Sequence, residues 1–280
     1  MIDEVTEALI TLALREDLGP AGDVTSRAVL GAAAGCTARI VAREPIVLSG
    51  LEVARAAFSR VDPQVRFSSH LPEGTRVTAG LALAEVVGPA ASVLAAERTA
   101  LNFLQRLCGV ATFTARYVEK LEGTRCRLLD TRKTTPGFRA LEKAAVRAGG
   151  GHNHRMGLYD GILIKDNHIA AAGGLRQAVE AARKNASALL GIEVEVDTLE
   201  QLREALGLGV EIVLCDNMSP AKLAEAVKLR NELRPATRLE ASGGVTLDNL
   251  AEIAKSGVDF VSSGALTHSA RAVDIGVDID

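Results

Sequence analysis

Gly191-Ile192-Glu193-Val194-Glu195-Val196-Asp197 is followed by a helix-like stretch at 198–206 and then by Ile212-Val213-Leu214-Cys215-Asp216-Asn217. The first run alternates charged and apolar residues, the period of a strand, so its three carboxylates share one strand face. The unit repeats in both directions. Apolar strand-like runs recur at 126–129, 161–164, 191–196, 210–215, 237–241 and 258–262, and helix-like stretches fall at 138–148, 174–184, 198–206, 219–231 and 247–255. This rhythm predicts parallel strands with helices outside them. Ser219-Pro220 marks one helix start, an N-cap followed by proline at the first helical position. No GxGxxG follows the first strand, which favours a barrel over an open doubly wound sheet.

The first third reads as a mixed α/β piece. Ile2, Val5, Leu9 and Leu12 fall at helical spacing, and Gly19-Pro20-Ala21-Gly22-Asp23 ends that helix. Short strand-like runs at 37–42, 65–69, 76–79 and 82–87 are interrupted by a helix at 51–61. Residues 90–121 read as one or two helices, with Gly109 as the hinge between them.

The 280 residues suit one or two domains, and 48% hydrophobic with 24% charged residues describes an ordinary globular chain. Net charge of -3 and 3% aromatics argue against a nucleic-acid surface, an anionic-membrane surface or a base-stacking platform. Cys36, Cys108, Cys126 and Cys215 form no CxxC pair, so a reducing cytoplasm is expected and a zinc or disulfide framework is not. No signal peptide and no membrane-spanning run are expected.

In barrels the working residues lie at the C-terminal strand ends. Here those ends carry Asp130-Thr131-Arg132-Lys133-Thr134, Lys165-Asp166-Asn167-His168, Glu195, Asp216-Asn217, Ser242-Gly243-Gly244 and Ser263-Gly264-Ala265. The last two loops fall where barrels bind phosphate, and glycine lets backbone N–H groups approach an anion closely. Between 125 and 165 the chain has nine Lys and Arg residues against three acids. Arg139, Lys143 and Arg147, at helical spacing, are assigned to a solvated helix face. Arg132, Lys133, Arg155 and Lys165 sit near strand ends or glycine-rich turns instead, and point to a substrate with several negative charges. Charge-assisted bonds contribute roughly 1.5–3 kcal/mol each.

In Gly149-Gly150-Gly151-His152-Asn153-His154-Arg155 the two histidines lack a third His or Cys ligand, so donation to an anion is preferred over zinc. Glu195 and Asp216 end neighbouring strands, a donor pair suited to Mg²⁺ beside substrate oxygens. The residues alone therefore describe a Mg²⁺-assisted barrel enzyme acting on a phosphorylated, polyanionic substrate.

These same residues resemble the quinolinate phosphoribosyltransferase family. The similar stretches are Glu16-Asp17-Leu18-Gly19, Asp23-Val24-Thr25-Ser26, Glu97-Arg98-Thr99-Ala100-Leu101-Asn102, Asp130 to Gly137, Gly149 to Arg155, Lys165 to His168, Glu193 to Asp197, Asp216-Asn217, Ser242-Gly243-Gly244 and Gly264 to Ser269. They run in order through nearly the whole chain. The resemblance implies an N-terminal α/β sandwich domain over 1–107 and a C-terminal open, seven-stranded α/β barrel over 108–269. The tail at about 270–280 is expected to pack back on the first domain. Six strands are evident in the sequence, and the seventh is expected to be short and near 152–155.

By the same resemblance, Arg98, Arg132, His154, Arg155 and Lys165 hold the two carboxylates of quinolinate, with Thr131 beside them. Lys133 contacts the pyrophosphate of phosphoribosyl pyrophosphate (PRPP), and Glu195 and Asp216 hold the ribose hydroxyls and Mg²⁺. Ser242, Gly243, Gly244, Ser263, Gly264 and Ala265 bind the 5′-phosphate. Lys133, Lys165, Glu195 and Asp216 carry the catalysis. Arg98 is expected from the partner subunit of a cytoplasmic homodimer, with higher assemblies left open. One departure is Ala241, where many relatives have a second serine before Ser-Gly-Gly, placing one hydroxyl contact in question.

The implied reaction transfers phosphoribose to quinolinate with loss of CO₂, giving nicotinate mononucleotide in the biosynthesis of NAD. A paralogue linked to molybdenum uptake, or a transferase for nicotinate, is the alternative enzyme. A silent phosphoribosyl-ligand sensor is the non-enzymatic alternative, against which intact Lys133, Glu195 and Asp216 speak.

Overall fold

The computed structural model describes residues 2–31 and 33–279. In chain order the elements begin with α1 (Glu4–Leu18), α2 (Val24–Val29), β1 (Gly35–Ala42), β2 (Ile46–Val47), α3 (Leu51–Val61), β3 (Arg66–Ser68), β4 (Arg76–Val77), β5 (Ala82–Pro89) and α4 (Ala90–Lys120). They continue with β6 (Arg127–Leu129), α5 (Arg139–Ala148), β7 (Ile162–Ile164), α6 (Asp166–Ala172), α7 (Leu175–Asn185), β8 (Ile192–Val196) and α8 (Leu199–Leu208). The chain closes with β9 (Ile212–Asp216), α9 (Pro220–Leu233), β10 (Arg238–Ser242), α10 (Leu250–Lys255), β11 (Phe260–Ser262), α11 (Ala265–His268) and β12 (Ile275–Ile279).

Two compact units result. The first comprises residues 1–115, 134–150 and 269–280. Its four-stranded sheet has the order β12-β1-β5-β3, with antiparallel pairs throughout. Thus 134–150, which the sequence reading gave to the barrel domain, groups with the first unit, and β12 forms an edge strand beside β1. Asp3 caps α1 by accepting the Thr6 N–H at 2.8 Å, and Asp23 caps α2. α1 buries Thr6, Ile10 and Leu14, whereas Val5 and Leu12 are exposed. The apolar stripe of the sequence is therefore not the face this unit buries.

α4 is one continuous helix, and Gly109 is no hinge. A Cβ there would collide with the main-chain carbonyl of Arg271, so this glycine serves a close approach of the C-terminal segment. Lys143 is another departure. It is fully buried, as is Glu142, which accepts from Arg106 at 2.7 Å and from the Thr135 hydroxyl at 2.9 Å. The helix face assigned to solvent is a buried polar one at Lys143.

The second unit comprises residues 116–133 and 151–268. Its six strands are all parallel, in the order β6-β11-β10-β9-β8-β7. The seventh strand of the expected barrel is reduced to a single parallel bridge between His152 and Leu129. Around it, the His152 N–H donates to Leu128 and the Asp130 N–H donates to His152. Two helix starts are set by local sequence. Thr198 and Gln201 form a reciprocal capping box at α8, Ser219 caps α9, and Pro220 opens it. Two short helices, α6 and α11, occupy segments that read as polar loops.

The period of two sorts the strand side chains. Val194, Val196, Val213, Cys215, Leu239, Ala241 and Val261 are buried against the helix layer. Their neighbours face the barrel interior in tiers. Ile212 and Phe260 lie at the N-terminal end, and Glu195, Asp216, Ser242 and Ser262 at the C-terminal end. Glu193, Leu214 and Glu240 come between. The strand register pairs Glu193 with Ile212, both Glu195 and Glu240 with Leu214, and Ser242 with Asp216.

Candidate active site

The C-terminal strand ends of the second unit enclose a cavity of about 620 Å³. Thr131, Arg132 and Lys133 enter it from the loop after β6. His154 and Arg155 enter from the bridge segment, and Lys165 from the end of β7. Glu195 and Asp216 come from β8 and β9. Ser242, Gly243 and Gly244 follow β10, and Ser263, Gly264 and Ala265 follow β11. Every residue expected at the site in this unit lines that one cavity. Arg98 does not line it; it lies at an exposed position on α4 in the first unit.

Asp130 organises the cationic side. It is fully buried and accepts the His154 main-chain N–H at 2.9 Å and the Asn153 amide at 2.5 Å, tying the bridge segment to the end of β6. Arg155 is held by its own donation to the Gly161 carbonyl at 2.9 Å. Asp160 supports the same turn by accepting the N–H groups of Met156 and Gly157. Burial lowers the Arg155 pKa from its usual value, and the nearby Arg132 charge adds to the effect. Two guanidiniums held close enough to repel create a demand for anions.

Lys165 and Glu195 form an ion pair at 2.5 Å. The sequence reading gave Lys165 to a substrate carboxylate and Glu195 to ribose and metal, so the two share a contact that a ligand must divide. Burial raises the Asp216 pKa above the usual carboxylate range, and the charge of Asp197 adds to this. Lys165, the Asn217 amide and Lys133 pull it back. The donor set of Glu195 and Asp216, near a third acid, fits a hard cation that takes one or two carboxylates plus substrate oxygens.

On the opposite rim the backbone supplies the donors. Gly243 and Gly244 have φ of 84° and 60°, consecutive left-handed residues that turn the main chain into a concave loop. A Cβ on Gly243 would strike Asn217, the one non-glycine residue with positive φ among those described. The Asn217 N–H donates to the Ser242 carbonyl at 2.9 Å and its amide donates to Asp216 at 2.6 Å. Asn217 thereby couples the acid to the glycine loop, a role its place beside Asp216 did not disclose. α11 starts directly after Gly264, and the Thr267 hydroxyl donates to the Lys133 carbonyl at 2.7 Å. Ala241 is 2% exposed and absent from the cavity lining. A side chain at 241 thus lies off the cavity lining, where a serine would add no hydroxyl to it.

Glu240 and His268 also line the cavity. Alternation along β10 was enough to place Glu240 inward two residues before Ser242. His268 belonged to a similar stretch without a role of its own.

The comparisons agree along the chain. The descriptions "Quinolinate phosphoribosyl transferase, N-terminal domain" and "Quinolinate phosphoribosyl transferase, C-terminal domain" match residues 23–108 and 110–278. The chain is 45% identical over 265 residues to the probable nicotinate-nucleotide pyrophosphorylase [carboxylating] of Bacillus subtilis, covering 94% of this chain and 90% of that protein. It is 44% identical over 272 residues to the nicotinate-nucleotide pyrophosphorylase [carboxylating] of Mycobacterium leprae, covering 96% and 95%. The solved nicotinate-nucleotide pyrophosphorylase of Francisella tularensis superposes with a TM-score of 0.94 at 38% identity, covering 100% of this chain and 98% of that one. With both domain descriptions matched in sequence order and the strand-end residues gathered at one cavity, the chain belongs to the quinolinate phosphoribosyltransferase family.

Proposed function

We propose that this chain transfers the phosphoribosyl group of PRPP to the ring nitrogen of quinolinate, with loss of CO₂, yielding nicotinate mononucleotide and pyrophosphate. The observation that carries the reading is the convergence of Arg132, Lys133, Arg155 and Lys165 on one cavity opposite two glycine-lined loops. Two arginines and a lysine suit the two carboxylates of a pyridine dianion. The loops after β10 and β11 suit the 5′-phosphate of PRPP.

The chain's own residues act by placement and charge. The C1–oxygen bond of PRPP breaks, and its electron pair leaves with pyrophosphate beside Lys133. Positive charge develops on the ribose ring, and Glu195 and Asp216 lie where they stabilise it. The quinolinate nitrogen bonds to C1 and becomes a pyridinium. The ring then accepts the electron pair of the adjacent carbon–carboxylate bond as CO₂ departs, and that carbon takes a proton from solvent. The cations hold the dianion aligned throughout, so the gain is proximity rather than side-chain acid–base chemistry. Mg²⁺ fits at Glu195 and Asp216, where it supplies charge neutralisation for the phosphates that accompany it.

A homodimer completes the site in this reading, with Arg98 of one copy serving its partner. Exposed Arg98 on α4 and exposed Val5 and Leu12 on α1 support such an interface. Four free cysteines suit a reducing cytoplasm, and among the described residues no helix is long and apolar enough to cross a membrane.

The deciding assay supplies quinolinate, PRPP and Mg²⁺ and detects the mononucleotide and CO₂ by mass. Turnover of nicotinate but not quinolinate overturns the substrate assignment. Tight binding of both substrates without pyrophosphate release overturns the enzymatic one.

A further inference from the structure

β9 and β10 end side by side, with Asp216 in register with Ser242. The ladder continues one residue further, because the Asn217 main-chain N–H donates to the Ser242 carbonyl at 2.9 Å. Both chains then turn left-handed. Asn217 has φ of 52°, and Gly243 and Gly244 have 84° and 60°. Asparagine tolerates that region better than most side chains, and such a backbone persists only where the surrounding structure holds it.

The side chain of Asn217 shows what holds it. Its amide nitrogen donates to Asp216 Oδ2 at 2.6 Å, which takes up that oxygen and leaves Oδ1 for a ligand. Its amide oxygen packs on Gly243, where a Cβ would collide with it. One residue therefore grips the acid through its side chain and the glycine loop through its main chain. Asp216, Asn217, Gly243 and Gly244 all line the catalytic cavity. Asp197, Lys165 and Lys133 act on Asp216 through charge, which sets no orientation, whereas Asn217 holds it by a directed bond.

We propose that Asn217 is a positioning residue that fixes the separation between the Asp216 carboxylate and the Gly243–Gly244 loop. The cavity thereby measures the span from the hydroxyls to the phosphate of a pentose 5-phosphate. This rests on the placement of ribose at Asp216 and of phosphate at the loop in the reading above. A carboxylate free to rotate still meets a hydroxyl, and a loop free to shift still meets a phosphate. Only a set distance lets both contacts act at full strength on one ligand.

Binding of ribose 5-phosphate, 2,3-dideoxyribose 5-phosphate and inorganic phosphate to the full chain, by calorimetry without divalent cations, tests the spacing. The parent is expected to prefer ribose 5-phosphate to its dideoxy analogue by about tenfold, the size of a hydrogen bond to a charged group. Asn217→Gly keeps the main-chain donor and suits the left-handed φ but loses the amide. Its preference is expected to fall to within about twofold while its Kd for inorganic phosphate holds within about twofold. Asn217→Asp is the second variant, in case the first does not fold. It keeps the shape and sets an acceptor against Asp216, and its added charge acts alike on both sugars, so the same loss of preference is expected. A parent without the preference, a variant that retains it, or equal weakening of all three ligands overturns the proposal. With quinolinate and PRPP, Asn217→Gly is expected to raise the KM for PRPP about tenfold and to leave the quinolinate Kd within about twofold. Turnover with an unchanged KM for PRPP overturns the role of Asn217 and leaves the proposed reaction standing. A parent that does not turn over, yet whose sugar preference is lost in Asn217→Gly, supports the spacing and sinks the proposed reaction instead.

Discussion

Glu193 and Glu195 lie two residues apart on β8 and face the same side of the sheet, yet they have different surroundings. Glu195, at the cavity rim, meets the half-exposed ammonium of Lys165. Glu193, one tier deeper and nine-tenths buried, meets the fixed ring of His154 and a second buried acid. One strand thus carries a carboxylate whose partner is half exposed and another whose partner is largely enclosed. Depth along the barrel axis, set by the 3.3 Å rise or so of each strand residue, separates binding from support.

Substitutions in the two tiers separate them further. The largest effect is expected at the rim. Lys133→Ala and Glu195→Ala lower kcat by about 10²–10³-fold, the usual loss for a group that stabilises developing charge. Steady-state rates with calorimetry check this, and quinolinate affinity is expected to hold within about threefold in Lys133→Ala. Equal losses in kcat and affinity would merge the roles separated here. Next comes Arg155→Ala, expected to weaken quinolinate binding by about 10–100-fold, as removal of charge-assisted bonds predicts. Titration calorimetry reads it out.

A mixture of Arg98→Ala and Lys165→Ala subunits is expected to recover part of the activity each lacks alone. Failure to recover any, after confirmed subunit exchange, removes Arg98 from the partner's site. The smallest effect belongs to the deeper tier. The Glu240 carboxyl titrates higher folded than unfolded, so its contribution to stability is complete below the unfolded value near 4.5 and is lost as pH rises toward about 8. Glu240→Gln removes that loss. Its Tm is expected to exceed that of the parent by about 2–4 °C at pH 8, the size of about 1 kcal/mol, and by less at pH 5. A parent Tm that climbs between pH 5 and 8 while the variant stays flat would contradict the sign.

Much of the second unit was legible because parallel strands flanked by helices write a simple pattern. All six strand runs and four of its helix stretches, at α7, α8, α9 and α10, appear near their expected places, since burial on both faces demands apolar runs. The rim residues were legible for the same reason: a charged cluster directly after an apolar strand has one end of a barrel to occupy. α6 and α11 were not, because each is shorter than two turns and too brief to show a helical period of its own. The seventh strand shrank to one bridge at His152 because three glycines and a turn held by Asp160 leave little extended chain.

The first unit was harder to read. The stripe of Ile2, Val5, Leu9 and Leu12 gave the helix correctly but misplaced its buried face, which centres on Thr6, Ile10 and Leu14. Periodicity reports that an apolar face exists, not which surface covers it. Gly109 likewise read as a break, while in the fold it makes room for a strand of chain more than 150 residues away in sequence, at Arg271.

The sequence by itself determined the βαβ order, the ring of charged and glycine residues at the strand ends, and the family those residues belong to, because each is a property of neighbours along the chain. The tertiary structure alone decided that Lys165 pairs with Glu195, that Ala241 turns away from the cavity, and that His154 lies against Glu193. Those depend on strand register and on depth in the barrel, distances that arise only when segments remote in sequence are brought side by side.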